Sequence, residues 1–128
     1  MALARILVAD DDRVTSRFLS SLLKGEGYEV LVADDGEHAV ELALEHRPDL
    51  IVSDLIMPYR DGFEVLRALR SQDRLTRIPV VILSMKDREE DIVRCLEEGA
   101  DDYVVKPFKA RELVVRIRKQ LQRTRERR

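Results

Sequence analysis

Five short apolar runs, each followed by a stretch of helical periodicity, set the first constraint on this 128-residue chain. The runs are Ile6-Leu7-Val8-Ala9, Val30-Leu31-Val32-Ala33, Leu50-Ile51-Val52, Val80-Val81-Ile82-Leu83 and Tyr103-Val104-Val105. They are rich in β-branched residues, and none alternates apolar with polar. Strands of that kind are buried on both faces, which calls for a parallel sheet with helices on either side. After each run, apolar residues recur at helical spacing. Val14, Phe18, Leu19, Leu22 and Leu23 mark a face of the first helix, which Gly25 and Gly27 end. Ala39, Val40, Ala43 and Leu44 mark the second, closed near Pro48, and Phe63, Leu66 and Leu69 mark the third. Ile92, Val93 and Leu96 mark the fourth, stopped by Gly99, and Leu113, Val114, Ile117 and Leu121 mark the fifth. Five units are too few for an eight-unit barrel, so the expected fold is α/β, a doubly wound open sheet of parallel strands.

The length suits one domain of about 100–150 residues. A hydrophobic fraction of 45% suffices for a core and excludes wholesale disorder. A single cysteine, Cys95, excludes an internal disulfide and a Cys-rich zinc site, and reads most simply as a small apolar residue. A reduced, cytoplasmic setting is expected. No apolar run approaches the roughly 18 residues of a membrane span, and Met1-Ala2-Leu3-Ala4-Arg5 lacks the apolar stretch of a secretory signal.

The net charge of −2 conceals a division. Residues 109–128 hold nine of the 23 basic and two of the 25 acidic residues, +7 there against −9 over the rest. Clustered Lys and Arg invite a nucleic-acid reading. No aromatic follows Phe108 in this segment, however, and no second folded unit positions it. The expected organisation is therefore a domain over residues 1–121. Residues 122–128 are a basic end of the fifth helix, where positive charge is favourable, or the start of a linker to an output domain.

In doubly wound sheets ligands bind beyond the carboxyl ends of the strands. Asp10, Asp11 and Asp12 follow the first strand, Asp34 and Asp35 the second, Ser53 and Asp54 the third, Ser84 the fourth, and Lys106-Pro107 the fifth. Carboxylates converging on one edge repel one another unless a cation joins them, and hard oxygen ligands suit Mg²⁺. A metal with Lys106 opposite is what a phosphoryl group needs, because phosphoryl transfer is mostly positioning and charge neutralisation. A carboxylate can itself be the nucleophile. Neither Gly-rich phosphate-loop pattern is present.

Several of these acids have simpler explanations. Asp34 with Glu37, and Asp61 with Glu64, fit capping boxes of the second and third helices. Asp12 fits an N-cap or first-turn residue of the first helix. Asp10 and Asp11, adjacent after a buried strand, and Asp54, between two apolar runs, are not explained this way. His38 and His46 read as surface residues of the second helix and form no metal pair.

At these residues the sequence resembles the receiver domain of two-component response regulators, the CheY-like fold. The resemblance rests on Ile6 to Asp12, Asp49 to Pro58, Asp61-Gly62, and Gly99 to Phe108, all in order and after the correct strands. It implies a sheet order of 2-1-3-4-5. It implies that Asp54 is the phosphoacceptor, supplied by a phosphohistidine on a sensor kinase or phosphotransfer protein. Asp10, Asp11 and Asp54, with the backbone carbonyl of Ile56, are then the Mg²⁺ ligands. Ser84 is the switch hydroxyl, Lys106 pairs with the phosphoryl charge through a backbone that continues into a cis bond to Pro107, and Tyr103 is the switch aromatic. The readout face is helix four, strand five and helix five. By this resemblance the domain is no enzyme beyond taking up and losing its own phosphoryl group.

Two departures stand out. Met85 occupies a position where the family usually has Ala or Gly, which predicts slowed phosphotransfer or dephosphorylation. Asp102, Glu112 and Arg116 match charged positions of receiver dimers in the winged-helix subfamily, but Ile92 replaces a basic partner, so a homodimer through this face is only partly encoded. The main rival is a haloacid-dehalogenase-like phosphohydrolase, with Asp10 as nucleophile, Asp12 as acid/base and Asp101-Asp102 as metal ligands. A second rival is a receiver that serves only as an interaction module.

Overall fold

A computed structural model describes residues 4–126. The expectations for Met1–Leu3 and for residues 127–128 lie outside the described residues. The element order is β1 (Arg5–Ala9), α1 (Arg13–Gly25), β2 (Glu29–Ala33), α2 (Gly36–His46), β3 (Leu50–Ser53), α3 (Gly62–Arg70), β4 (Val80–Ser84), α4 (Glu89–Glu97), β5 (Asp102–Val105) and α5 (Ala110–Glu126). The strands form one parallel sheet in the order β2-β1-β3-β4-β5, the doubly wound arrangement expected. Residues 122–126, expected as helix end or linker, continue the helical backbone of α5.

The three central strands are buried along their lengths, as continuous apolar runs require. β2 and β5 are edge strands and are covered less completely. The sheet separates two cores. Leu7, Ile51, Leu66 and Ile82 belong to one, and Ile6, Leu19, Val52, Leu83 and Ile117 to the other.

Helix boundaries follow local chemistry. Asp12 caps α1, accepting the Val14 amide at 3.2 Å and the Thr15 hydroxyl at 2.6 Å. Asp61 and Glu64 form both bonds of the capping box expected for α3. The cap of α2 is one residue later than expected. Asp35, not Asp34, is extended and accepts the His38 amide at 2.7 Å. The Asp34 carboxylate lies instead 3.6 Å from the His38 ring.

Three helical stripes are also corrected. In α1 the buried residues are Ser16, Leu19 and Leu23, whereas Val14 and Phe18 are 77% and 50% exposed. In α2, Leu44 faces out and Ala39, Val40 and Ala43 face in. In α4 the only buried residue is Cys95, and Val93 and Leu96 face solvent. A periodic pattern reports which residues are apolar, not which of two neighbouring stripes meets the sheet.

Burial pushes the Cys95 thiol up to about 11, with Glu98 and Asp91 adding to the effect. The thiol is therefore protonated at neutral pH.

At the amino-terminal edge of the sheet, Arg70 ties three segments together, the end of α3, residues 76–78 and residues 99–101. Its guanidinium donates to the carbonyls of Gly99 (2.7 and 3.1 Å), Ile78 (2.7 Å) and Thr76 (3.2 Å), and to Asp101 at 3.0 Å. Asp101 in turn accepts the Val80 amide at 2.9 Å. Arg70→Ala removes the donor to those carbonyls and the cation beside the half-buried Asp101, and is expected to cost about 3 kcal/mol. Thermal unfolding would then shift down by about 10 °C; an unchanged melting temperature would contradict the clasp.

Candidate acidic site at the carboxyl edge of the sheet

β1, β3 and β5 end side by side or one strand apart, so the residues that follow them converge. The backbone ladder extends past the strands: the Asp54 amide donates to Ala9 at 2.9 Å, the Asp10 amide to Ala33 at 3.1 Å, and the Lys106 amide to Ser84 at 2.8 Å. These bonds fix where each side chain leaves the sheet. Carboxylate oxygens of Asp10, Asp11 and Asp54 lie within 4.8 Å of one another. Lys106 Nζ bridges two of them, donating to Asp10 Oδ2 at 3.0 Å and Asp54 Oδ2 at 3.1 Å.

The three acids differ in surroundings. Asp10 is 3% exposed, Asp54 is partly buried and Asp11 is exposed. Burial raises the pKa of Asp10, while the Asp12 amide at 2.9 Å and Lys106 act in the opposite direction. Burial also pulls the Lys106 ammonium down, but hydrogen bonds and charge from Asp10 and Asp54 more than reverse it, and its pKa is raised. The Thr15 hydroxyl holds exposed Asp12 below its ordinary value.

Asp54 is oriented from both sides. Its Oδ1 accepts the Leu55 amide at 2.6 Å and, more weakly, the Ile56 amide at 3.4 Å, while Oδ2 faces Lys106. The loop after it is held by Gly62, at the start of α3. A Cβ there would lie 2.7 Å from the Asp54 carbonyl oxygen and from Leu55 Cα, so only glycine allows this approach. Gly36 plays the same part for α2 against the Arg60 backbone.

The remaining expected site residues are arranged around this cluster. Ser84 is fully buried at the end of β4, beside Val105, and its Oγ accepts the Lys86 amide at 3.3 Å. Tyr103 is half-buried. Its hydroxyl donates to the Lys86 carbonyl at 2.7 Å, and desolvation raises its pKa. The Lys106–Pro107 bond is cis. Ile56 presents its side chain to solvent, two residues past Asp54. Met85 is 77% exposed directly after Ser84.

Sequence reasoning missed the orienting amides of Asp12, Leu55 and Ile56, because backbone donors leave no residue-type signal. It also missed an exposed apolar patch at the rim. Val14 and Phe18 stand on α1, and the Phe18 ring lies 5.9 Å from that of Phe108, which follows the cis bond.

The hydrolase reading does not survive this geometry. Asp101 and Asp102 lie at the opposite edge of the sheet from Asp10, and they bind Arg70 and Arg116 respectively. Asp102 and Glu112, expected at a dimer surface, both pair with Arg116 inside the chain, at 3.0 and 3.1 Å.

An acidic cleft with one opposed lysine, at the carboxyl edge of a 2-1-3-4-5 sheet, defines the CheY-like class of α/β signalling domain. The chain belongs to the response regulator receiver domain family, whose model matches residues 6–118. It is 45% identical over 119 residues to the DNA-binding response regulator MtrA of Mycolicibacterium smegmatis, covering 93% of this chain and 51% of that protein. The chain thus spans about half the length of the curated relatives it matches. Among solved structures, the receiver domain of a Francisella response regulator superposes with a TM-score of 0.89 at 39% identity, covering 94% of this chain and 98% of that one. The receiver domain of a Pseudomonas aeruginosa sensor histidine kinase, solved with a magnesium ion in its active-site cleft, superposes with a TM-score of 0.87 at 32% identity, covering 93% and 98%. The chain is a receiver domain of two-component response regulators, a signalling family.

Proposed function

We propose that Asp54 accepts a phosphoryl group from a phosphohistidine on a sensor kinase or phosphotransfer protein. The carrying observation is the convergence of Asp10, Asp11 and Asp54 on Lys106. In the transfer, a carboxylate oxygen of Asp54 attacks phosphorus and the bond from phosphorus to the imidazole nitrogen breaks. Its electron pair stays with that nitrogen, and because the other ring nitrogen carries a proton the imidazole leaves neutral. Lys106 moves from the carboxylate to the new phosphoryl oxygens, and the Leu55 amide keeps the acyl group oriented. No separate substrate is turned over. The test is uptake of phosphoryl from acetyl phosphate with Mg²⁺, followed by intact mass.

Three hard oxygen donors around one site, two of them on partly or fully exposed residues, fit Mg²⁺. Asp10, Asp11 and Asp54 would hold it, with the Ile56 carbonyl as the further protein ligand. The ion supplies neutralisation of charge on the transferring group. At a tenfold excess over its dissociation constant it stabilises the fold by roughly 1.4 kcal/mol. The expected melting shift is about 4 °C upward, and Asp10→Asn removes most of it; no shift at millimolar Mg²⁺ would contradict the assignment.

The aspartyl phosphate adds between one and two negative charges beside Ser84 and Lys106. Ser84 then turns toward the phosphoryl group, Tyr103 leaves the Lys86 carbonyl, and the population shifts toward an active face on α4, β5 and α5. That face serves a partner, a homodimer, or an output domain beyond residue 128, with residues 122–128 as the helix end or linker leading to it. The exposed Val14 and Phe18, on the helix that follows Asp10–Asp12, with the partly buried Phe108 beside Phe18, form the surface that docks the kinase. The setting is cytoplasmic, consistent with the finding that no helix among the described residues is long and apolar enough to cross a membrane.

Met85 is bulky and directly follows the residue that would turn toward the phosphoryl group, and so slows access to it. Met85→Ala is expected to raise the dephosphorylation rate severalfold, read as loss of phosphoprotein over time. Unchanged transfer and decay rates would contradict that role.

A further inference from the structure

A concavity lies at the edge opposite the acidic cluster. It has a volume of about 670 Å³, within the range of small-ligand sites. Its walls come from the segments that enter β3, β4 and β5, together with the last turns of α5. Five arginines line it, Arg47, Arg70, Arg74, Arg77 and Arg123, against two acidic residues, Asp49 and Asp101.

These arginines have different roles. Arg70 is consumed by its carbonyl partners and by Asp101, so it builds the wall rather than presenting charge. Asp49 accepts the Arg5 amide at 2.8 Å. Arg47, Arg74, Arg77 and Arg123 form no ion pair among the described residues, although eight other arginines of this acidic domain do. They come from three chain segments and are brought to one cavity by the fold. Arg47 is held there by a left-handed backbone (φ 43°) at the end of α2. Buried Pro48, Ile78 and Pro79 supply an apolar floor between them.

Planar, permanently charged forks converging on a cavity match phosphate oxygens, which they bind in pairs. We propose that this cavity binds a small ligand with two or three linked phosphates, its phosphates on Arg47, Arg74, Arg77 and Arg123. A nucleoside, where present, rests on the proline and isoleucine floor. The concave shape favours such a ligand over duplex DNA, which needs a convex or elongated basic surface. The proposal does not depend on phosphorylation of Asp54.

Calorimetric titration of the 128-residue chain with ATP and, separately, with inorganic tripolyphosphate, in metal-free buffer at physiological salt, tests it. Saturable binding at a one-to-one ratio is expected, with AMP weaker. Equal affinity for the two probes assigns binding to the phosphate chain alone, and tighter ATP binding adds the floor. Arg74→Ala and Arg77→Ala, both on exposed side chains, should each weaken binding by about tenfold or more. Lys119→Ala, an exposed cation of α5 outside the cavity, should not. Phosphoryl uptake by Asp54 should persist in all three variants, which separates this site from the acidic one. Three results would overturn the proposal: no saturable binding of either probe at millimolar concentration, equal weakening by Lys119→Ala, or preferential binding of duplex DNA.

Discussion

Asp54→Asn is expected to abolish phosphoryl uptake from acetyl phosphate completely, while leaving the fold intact. The amide side chain has nearly the same shape, and its oxygen can still accept the Leu55 amide that Asp54 Oδ1 accepts at 2.6 Å. What it lacks is the nucleophilic charge. The loss should therefore be one of chemistry rather than stability, and intact mass should show no phosphorylated species at any time. Stability should rise slightly, because one of three mutually repelling carboxylates is gone. Residual labelling above a tenth of the parent level would mean that another carboxylate can accept the group.

Lys106→Ala should give the largest stability change in the cluster, about 3 kcal/mol lost at neutral pH. Lys106 is the only cation within ion-pair distance of both Asp10 and Asp54 among the described residues. Removing it strands a carboxylate that is almost wholly buried. The pH dependence follows from the direction of the shift. Burial raises the Asp10 pKa in the folded state above its ordinary value of 3.8, and without Lys106 it rises further. A carboxyl shifted upward favours folding fully below the unfolded pKa, and that contribution is lost as pH rises through the folded pKa. The variant should therefore be weakest relative to the parent near pH 7 and approach it as the solution is acidified toward pH 4 (both values approximate). In the parent, the raised Lys106 pKa keeps the ammonium's contribution in force up to its ordinary 10.5, and it is lost only as pH rises through the higher folded value. Urea unfolding at the two pH values measures the gap. Millimolar Mg²⁺ should also narrow it, since a cation can replace the missing charge. A gap that stays constant with pH would contradict the role given to Asp10.

Much of this was legible in the sequence because the strands are short, β-branched and buried. Such runs fix where each strand ends, and so which residues stand at the carboxyl edge. Asp10, Asp54, Ser84 and Lys106 could be placed on one edge from that reasoning alone. The order of the strands could not, and it came from the resemblance. Three kinds of feature stayed hidden. Orientation of Asp54 by the Leu55 amide is a backbone effect that no side chain announces. The outward facing of Val14, Phe18, Val93 and Leu96 was hidden because exposed apolar residues look like core in a helical pattern. The arginine cavity joins residues as far apart as Arg47 and Arg123, each of which alone resembles an ordinary surface cation. The shift of the α2 cap from Asp34 to Asp35 is smaller in kind: two adjacent acids offered the same cap, and only the backbone angles chose between them.

The charge asymmetry also gains a structural meaning. Acidic residues gather where the strands end, and arginines without an ion pair among the described residues gather where they begin. One edge is suited to a cation and a phosphoryl group, and the other to an anion.

The central claim is that one particular carboxylate receives the phosphoryl group. Its most direct test is to phosphorylate the chain with acetyl phosphate and Mg²⁺, trap the acyl phosphate by borohydride reduction, and locate the modified residue by peptide sequencing in a mass spectrometer. Modification at Asp54 alone is the predicted result. Modification at Asp10 or Asp11 with Asp54 untouched would contradict it.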